Sequence, residues 1–248
     1  MNAKSRQPGV TLTEMTVVVA VIALLVTFGL PAIRTFHSSF ESGASVRAMI
    51  SAGLASARAI AAREQHYAGI RFQKAHNPTD ANPLNATQYM VFIVHDLGRT
   101  GRANGFRAVE GLKPIKLPDS VGVMDLYTMG ASVVDDSGID EWDKVIDTTA
   151  FSIVFSPAGK LVVHDVRVLS QNANDSVFND LSSSDAMFQE DSYDTFPYWQ
   201  ELSRNSFIIY DRKEFKQAYE KGQGYLNCLV RLVPIYINAY TGTMILVD

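Results

Sequence analysis

The chain has 248 residues, one cysteine and a formal net charge of −4, a length that suits one soluble domain with a substantial core and an additional segment. The single cysteine excludes an intrachain disulfide. The acidic balance does not favour a nucleic-acid partner, because a nucleic-acid surface normally carries a basic stripe.

The chain begins with a basic leader containing Lys4 and Arg6, and a run of 19 residues without a charge then extends from Met15 to Ile33. A helix of that length spans roughly 28 Å, close to the hydrocarbon thickness of a bilayer. We therefore expect a transmembrane segment over about residues 15–33, with the N-terminus cytoplasmic because the cations precede the run. The alternative is a secretory signal peptide, but the residues at 34–37 fit a small-residue cleavage site poorly.

Glu14 is an acid at the edge of this apolar run. A carboxylate there costs free energy unless it is hydrated or paired with a cation. It is either a hydrated residue at the interface or the partner of a cation in the same layer. A cut after Gly9 would provide such a cation as the new α-amino group of Val10, and a neighbouring subunit could bring that amine to Glu14.

The start of the chain resembles the leader of type IV prepilins and type II secretion pseudopilins. The residues that carry the resemblance are Gly9, Val10, Thr11, Leu12, Glu14, the apolar run and Pro31. It implies cleavage between Gly9 and Val10 by a prepilin peptidase, N-methylation of Val10, and a role for Glu14 in filament assembly. The departure is Val10, where the family usually has phenylalanine.

From Phe36 onward the apolar residues recur at helical spacing, which predicts an amphipathic helix that continues to Gln65. Together the two parts predict one rod with a kink at Gly29 and Pro31, since proline cannot donate the helical hydrogen bond. The predicted organisation is a leader peptide at 1–9, an N-terminal helix at 10–65 and a soluble β-rich domain at 66–248.

In that domain the apolar runs predict strands at 67–72, 88–95, 106–109, 121–127, 151–155, 161–164, 207–210 and 225–240. Asp211 to Glu214 is a capping-box pattern that predicts a short helix ending near Gly222. Cys228 is expected to be a buried strand thiol. Two acidic insertions, at about 128–150 and 170–206, are expected to be solvated loops.

Three later segments are similar to minor pilin subunits of the GspH and FimT kind: 54–64, 155–159 and 240–247. The resemblance implies an α+β fold in which a long N-terminal helix, membrane-spanning in its lower half and amphipathic in its upper half, packs on an antiparallel β-sheet. It implies a structural subunit of a type II secretion pseudopilus or type IV pilus. Its partners would be other pilin subunits, prepilin peptidase, the inner-membrane assembly platform and membrane lipid. The subunit would be a single-pass inner-membrane protein before assembly.

No catalytic pattern accompanies these features, so we expect no enzyme, cofactor or metal. The five histidines show no metal-ligand spacing. The acidic cluster from Asp135 to Glu141 lacks the register of a helix-loop-helix calcium site, which favours solvated charge. A DNA-capturing minor pilin is the alternative function, but the segment from Thr241 to Asp248 contains no arginine for phosphate binding. A membrane-tethered enzyme with a coincidental leader is the third hypothesis.

Overall fold

The computed structural model describes residues 15, 17–18, 44–75, 82–101, 103–128, 132–133, 139–168 and 201–246. The chain divides into two units, Met1–Ala44 and Ser45–Asp248. In the first unit, Met15, Val17 and Val18 are described as helical and exposed. The second unit is an α+β domain.

Helix α1 covers residues 44–64. Its buried side chains recur every three or four residues, as expected for a helix that packs one face on a sheet. These side chains are Val46, Ile50, Leu54, Ala57, Ile60 and Ala61. The helix ends next to Gln65, which has a positive φ of 56°, and this change of backbone direction leads into the first strand.

The larger sheet has eight strands and is mixed. Its strands are β1 (Ala68–Lys74), β2 (Gln88–His95), β3 (Gly105–Ala108), β4 (Ile115–Lys116), β8 (Phe151–Phe155), β9 (Leu161–Val162), β10 (Asp165–Val168) and β11 (Glu201–Leu202). Their order is β11-β10-β3-β2-β1-β8-β9, and β4 also pairs with β2. Neighbouring strands are antiparallel except β10 and β3, which run parallel.

A second sheet has four strands in the order β14-β13-β12-β5. They are β5 (Val121–Met124), β12 (Ser206–Asp211), β13 (Ile235–Ile237) and β14 (Met244–Leu246), and a separate two-stranded ribbon joins β6 (Tyr127–Thr128) to β7 (Ser132–Val133). The shorter helices are α2 (Leu97–Thr100), α3 (Trp142–Thr149), α4 (Arg212–Tyr219) and α5 (Gly224–Asn227), followed by a 3-10 turn at Leu229–Arg231.

The main core lies between α1 and the inner faces of both sheets. Strand alternation places Ile70 and Phe72 of β1 and Ile153 and Phe155 of β8 in this core with Leu54. A second cluster covers the opposite face of the larger sheet, and a third lies between the four-stranded sheet and helices α3 to α5. The larger sheet is therefore buried on both faces over much of its area.

The structure corrects the predicted fold. The class is α+β, but among the described residues the first continuous helix starts at residue 44, which contradicts the predicted long helix from residue 10. Over its described length this helix is amphipathic, as predicted for the segment that ends at Gln65. The sheet is mixed because β10 joins β3 in parallel, whereas an antiparallel sheet was expected.

Among the described residues, no helix combines the length and the apolar character needed to cross a membrane. This finding contradicts the predicted single-pass inner-membrane localisation. The predicted transmembrane part at about 15–33 lies outside the described residues, except for Met15, Val17 and Val18.

Several local predictions can be compared directly. The predicted strands at 88–95 and 151–155 coincide with β2 and β8. The capping prediction is confirmed, since the Asp211 carboxylate accepts hydrogen bonds from the backbone N–H groups of Lys213 and Glu214. The strand predicted at 225–240 is wrong in its first half, where α5 and a 3-10 turn lie. The first insertion is not a loop throughout, because α3 buries Val145 and packs on the domain.

Candidate functional site

The residues expected to be processed and to register subunits lie outside the described residues. This applies to Gly9, Val10 and Glu14, and also to the predicted kink residues Gly29 and Pro31. The N-terminal helix was predicted to mediate assembly, and α1 is the part of it that the structure describes as a continuous helix. The candidate functional site is therefore built from the geometry of α1.

The inner face of α1 is held against the domain by close packing. Gly53 lies against Met90 of β2, and a Cβ atom at this position would come 2.7 Å from the Met90 sulfur. A contact that short would require a shift of the Met90 side chain. Glycine therefore lets this turn of the helix approach the sheet more closely than a larger residue would allow.

Arg58 fixes α1 to two turns of the domain. Its Nε donates to the carbonyl oxygen of Gly159 at 2.8 Å, and its Nη1 donates to the carbonyl oxygen of Thr241 at 2.9 Å. Gly159 and Gly242 have φ values of 73° and 70°, a backbone region that glycine adopts at little cost. The two turns thus present their carbonyl groups to one guanidinium.

The outer face of α1 carries small, uncharged side chains over four turns. Between residues 48 and 62 every exposed position is alanine or serine. These positions are Ala48, Ser51, Ala52, Ala55, Ser56, Ala59 and Ala62. The exposed charges of this helix lie at its ends, on Arg47, Arg63 and Glu64. We call the seven alanine and serine residues the small-residue face.

This composition differs from an ordinary solvated helix face, which usually carries charged and polar side chains. Alanine and serine allow a second helix to approach closely, because the distance between packed helices depends on the side chains at the contact. They also have little side-chain entropy to lose when they are covered. The small-residue face is therefore suited to contact with another helix.

A buried charged network lies on the opposite face of the larger sheet. The guanidinium of Arg71 is fully buried, and its Nη1 lies 2.9 Å from Glu201 Oε2. The same group donates to Ser152 Oγ at 3.0 Å, and Arg71 Nε donates to Gln73 Oε1 at 3.2 Å. Burial raises the pKa of Glu201, and the charge of Arg71 opposes that shift.

A second ion pair, between Arg204 and Asp125, lies close to the first. Arg204 Nε donates to Asp125 Oδ2, whereas Asp125 Oδ1 has no hydrogen-bond partner among the described residues. Burial raises the pKa of Asp125 well above its ordinary value, and the charge of Arg204 opposes the shift. The two pairs join the chain around β11 to β1 and to the end of β5.

Sequence reasoning missed this network. It placed Glu201 and Arg204 in a solvated insertion, and it did not single out Arg71 or Asp125. One signal was present: alternation along β1 puts Arg71 on the face opposite Ile70 and Phe72. In a strand with one face exposed to solvent, the side chains on that face are usually polar or small. In this sheet the face that carries Arg71 is covered.

The other predicted features have clear positions. Cys228 is buried as expected, but it lies between α5 and the 3-10 turn and not in a strand. Burial raises the pKa of its thiol to about 11. In the acidic cluster from Asp135 to Glu141, only the part from Ile139 is described, and there Asp140 accepts a hydrogen bond from the Gly224 N–H at 3.1 Å.

Three of the histidines lie near one another in space. The ring centroid of His95 is 6.4 Å from those of His66 and His164. The Nε2 atom of His95 lies 2.6 Å from the carbonyl oxygen of Ala103, and Nδ1 of His164 lies 2.5 Å from that of Asp165. Within the described ranges, no group of three histidine, cysteine or acidic residues could hold a metal ion.

Comparison of the chain with protein-family models, with curated proteins and with solved structures found no match. The resemblance to pilins therefore depends on the sequence motifs alone.

Proposed function

We propose that this chain is a structural minor pilin or pseudopilin subunit that assembles into a filament through its N-terminal helical region. The single structural observation behind the proposal is the small-residue face of α1. A helix whose inner face is fixed to a domain and whose outer face is small and uncharged is suited to pack against helices of neighbouring subunits.

The sequence motifs support the pilin class of filament and leave both a secretion pseudopilus and a type IV pilus open. The set of Gly9, Val10 and Glu14 resembles a prepilin leader, so the proposed maturation is a cut between Gly9 and Val10 by a prepilin peptidase. The new amine of one subunit would pair with Glu14 of another. The proposed partners are other pilin subunits and an assembly platform. The contradicted membrane localisation is not part of this proposal.

Cysteine crosslinking tests the proposed contact. The natural thiol of Cys228 is buried and its pKa is raised to about 11, so it gives little background reaction. We expect Ala55→Cys, on the small-residue face, to yield crosslinks with other filament subunits in cells that produce the native assembly. The matched control is Gln217→Cys, an exposed position on α4, which should remain uncrosslinked.

A charge substitution gives the complementary test. Ala55→Arg should leave the far-ultraviolet circular dichroism unchanged but prevent incorporation into the filament, because it places a long cation in a close helix contact. Gln217→Arg introduces the same side chain on α4 and should incorporate normally. Normal incorporation of Ala55→Arg, or equal crosslinking from positions 55 and 217, would show that the small-residue face is not the contact.

Maturation is tested separately by mass spectrometry of the native protein. The expected mature chain begins at Val10 with an added methyl group on its α-amine. A chain that retains Met1 would contradict the maturation step.

A further inference from the structure

A basic cavity lies on the side of the domain where α4 begins. It is an open depression in the surface with a volume of about 480 Å³, and its lining includes Asn85, Thr87 and the charged side chains of Lys116, Asp119, Arg212, Lys213 and Lys216. Its four cationic side chains face one carboxylate, so the lining carries a formal charge of +3 (4 − 1) in a chain of net charge −4. We call it the basic cavity.

Bonds between two segments hold Arg212 and Lys216 in place. Arg212 donates from Nη2 to the carbonyl oxygens of Leu84 and Ala86, at 2.9 and 2.6 Å. Lys216 Nζ donates to Asn85 Oδ1 at 2.8 Å. These bonds join the start of α4 to the turn before β2. The concave shape is therefore formed before any ligand binds.

The positive charge is only partly compensated. Lys116 Nζ lies 3.1 Å from Asp119 Oδ1, which leaves Lys213 and Lys216 without an acidic partner among the described lining residues. The partners of Arg212 and Lys216 are neutral oxygen atoms, which orient a cation but do not cancel its charge. The Asp211 carboxylate, which accepts from the Lys213 backbone N–H, offsets part of this charge. The excess of cations that remains around the depression attracts an anion.

The pKa of Lys74, which lies close to the basic cavity, is affected by the charge of Arg212. It is buried, and its Nζ donates to the carbonyl oxygen of Pro83 at 2.5 Å. Burial lowers the pKa of Lys74 to about 7, and repulsion from Arg212 adds to that shift. The backbone N–H groups at the start of α4 are not the source of the attraction, because the Asp211 carboxylate already caps them.

We infer that the basic cavity binds a phosphate-type dianion, either inorganic phosphate or the phosphate group of a small phosphomonoester. The volume lies within the range of small-molecule sites. Lysine ammonium groups bind phosphate as point charges. The exposed Lys213 side chain can turn toward a ligand, and the bond to Asn85 holds Lys216 beside it. Thr87 and Asn85 add polar groups for its oxygen atoms. This inference does not depend on the proposed filament role.

Calorimetric titration of the full chain at constant ionic strength tests the inference, with inorganic phosphate and glycerol 3-phosphate as probes and acetate as the monovalent control. We expect saturable phosphate binding at millimolar concentration or below, and weaker binding of acetate. Tighter binding of glycerol 3-phosphate than of inorganic phosphate would identify the monoester as the ligand form. Tighter binding of inorganic phosphate would identify the free ion, and equal affinity would show that the site recognises the phosphate group alone.

The variants locate the site. Lys213→Gln with Lys216→Gln should weaken phosphate binding by at least about tenfold, the effect expected for loss of about 1.4 kcal/mol of charge attraction. Lys221→Gln removes one cation outside the cavity and should bind phosphate as the unmodified chain does. The inference would be overturned if phosphate did not bind saturably or if acetate bound with equal affinity. It would also be overturned if the double variant bound phosphate as the unmodified chain does, or if Lys221→Gln weakened binding equally. Circular dichroism verifies that every variant is folded.

Discussion

The buried pair of Arg71 and Glu201 gives a prediction that can be worked out from its geometry. At 2.9 Å and an effective dielectric constant of about 20, the gross attraction of two unit charges is about 6 kcal/mol. Desolvation of both ions offsets much of it. Removing one partner leaves the other charge buried, so we expect either single substitution to lower the free energy of unfolding by about 3–5 kcal/mol.

The two single variants should differ in their response to pH. Glu201→Gln leaves a buried guanidinium that keeps its proton throughout the accessible range. Arg71→Met leaves a buried carboxyl whose pKa burial raises, so the folded form of this variant takes up a proton more readily than the unfolded form. Its stability is therefore highest below the unfolded pKa of about 4.3 and falls as the pH rises through the folded pKa. We expect the cost of Arg71→Met to shrink on acidification. Glu201→Gln removes the titrating carboxyl, so this site adds no pH dependence to the stability of that variant.

Urea unfolding followed by circular dichroism gives the free energies for a double-mutant cycle. The variant with both Arg71→Met and Glu201→Gln should be more stable than the sum of the single effects predicts, because it buries no unpaired charge. It should not fully recover, since Ser152 and Gln73 lose a donor. Strict additivity of the two substitutions would refute the reasoning that this pair is coupled.

Two further predictions concern other charged groups of the domain. Arg58→Met should lower the free energy of unfolding by about 1–2 kcal/mol, because it removes the hydrogen bonds of a half-buried guanidinium to Gly159 and Thr241. Urea unfolding measures this change, and an unchanged midpoint would contradict the prediction. Asp125→Asn should flatten the pH dependence of stability: burial raises the pKa of Asp125, so stability falls as the pH rises from about 4 through the folded pKa. Unfolding free energies measured across this pH range should show a smaller decline in the variant than in the unmodified chain, and equal declines would count against the assignment.

The strands that sequence predicts most accurately are those with a continuous apolar run. Both β2 and β8 are buried on both faces, so most of their residues are apolar and their ends are sharp. The start of α4 was predictable for a different reason: Asp211 caps it with local hydrogen bonds that depend on few distant contacts.

The buried charged network could not be predicted in the same way. Arg71 and Glu201 are 130 residues apart along the chain. Each is a charged residue of the kind that normally lies on the solvent-exposed surface. Burial of Glu201 follows from the return of the chain to the sheet edge at β10, which is a matter of topology and not of local pattern. The same is true of the basic cavity, where Lys116 belongs to β4 and the other three cations to α4.

The two faces of α1 differ in where their charged side chains lie. Arg58, the one arginine in its middle, is directed inward to the turns of the domain, while Arg47 and Arg63 lie near its ends. On the four turns between them every fully exposed side chain is alanine or serine, and the one charged side chain, Arg58, is half-buried. A helix that merely covered a sheet would gain solubility from charges on these turns at no cost in packing. The inner face already accounts for the burial of α1, so the attachment of this helix to the domain does not require the small-residue face. The proposed contact with a neighbouring helix would use that face.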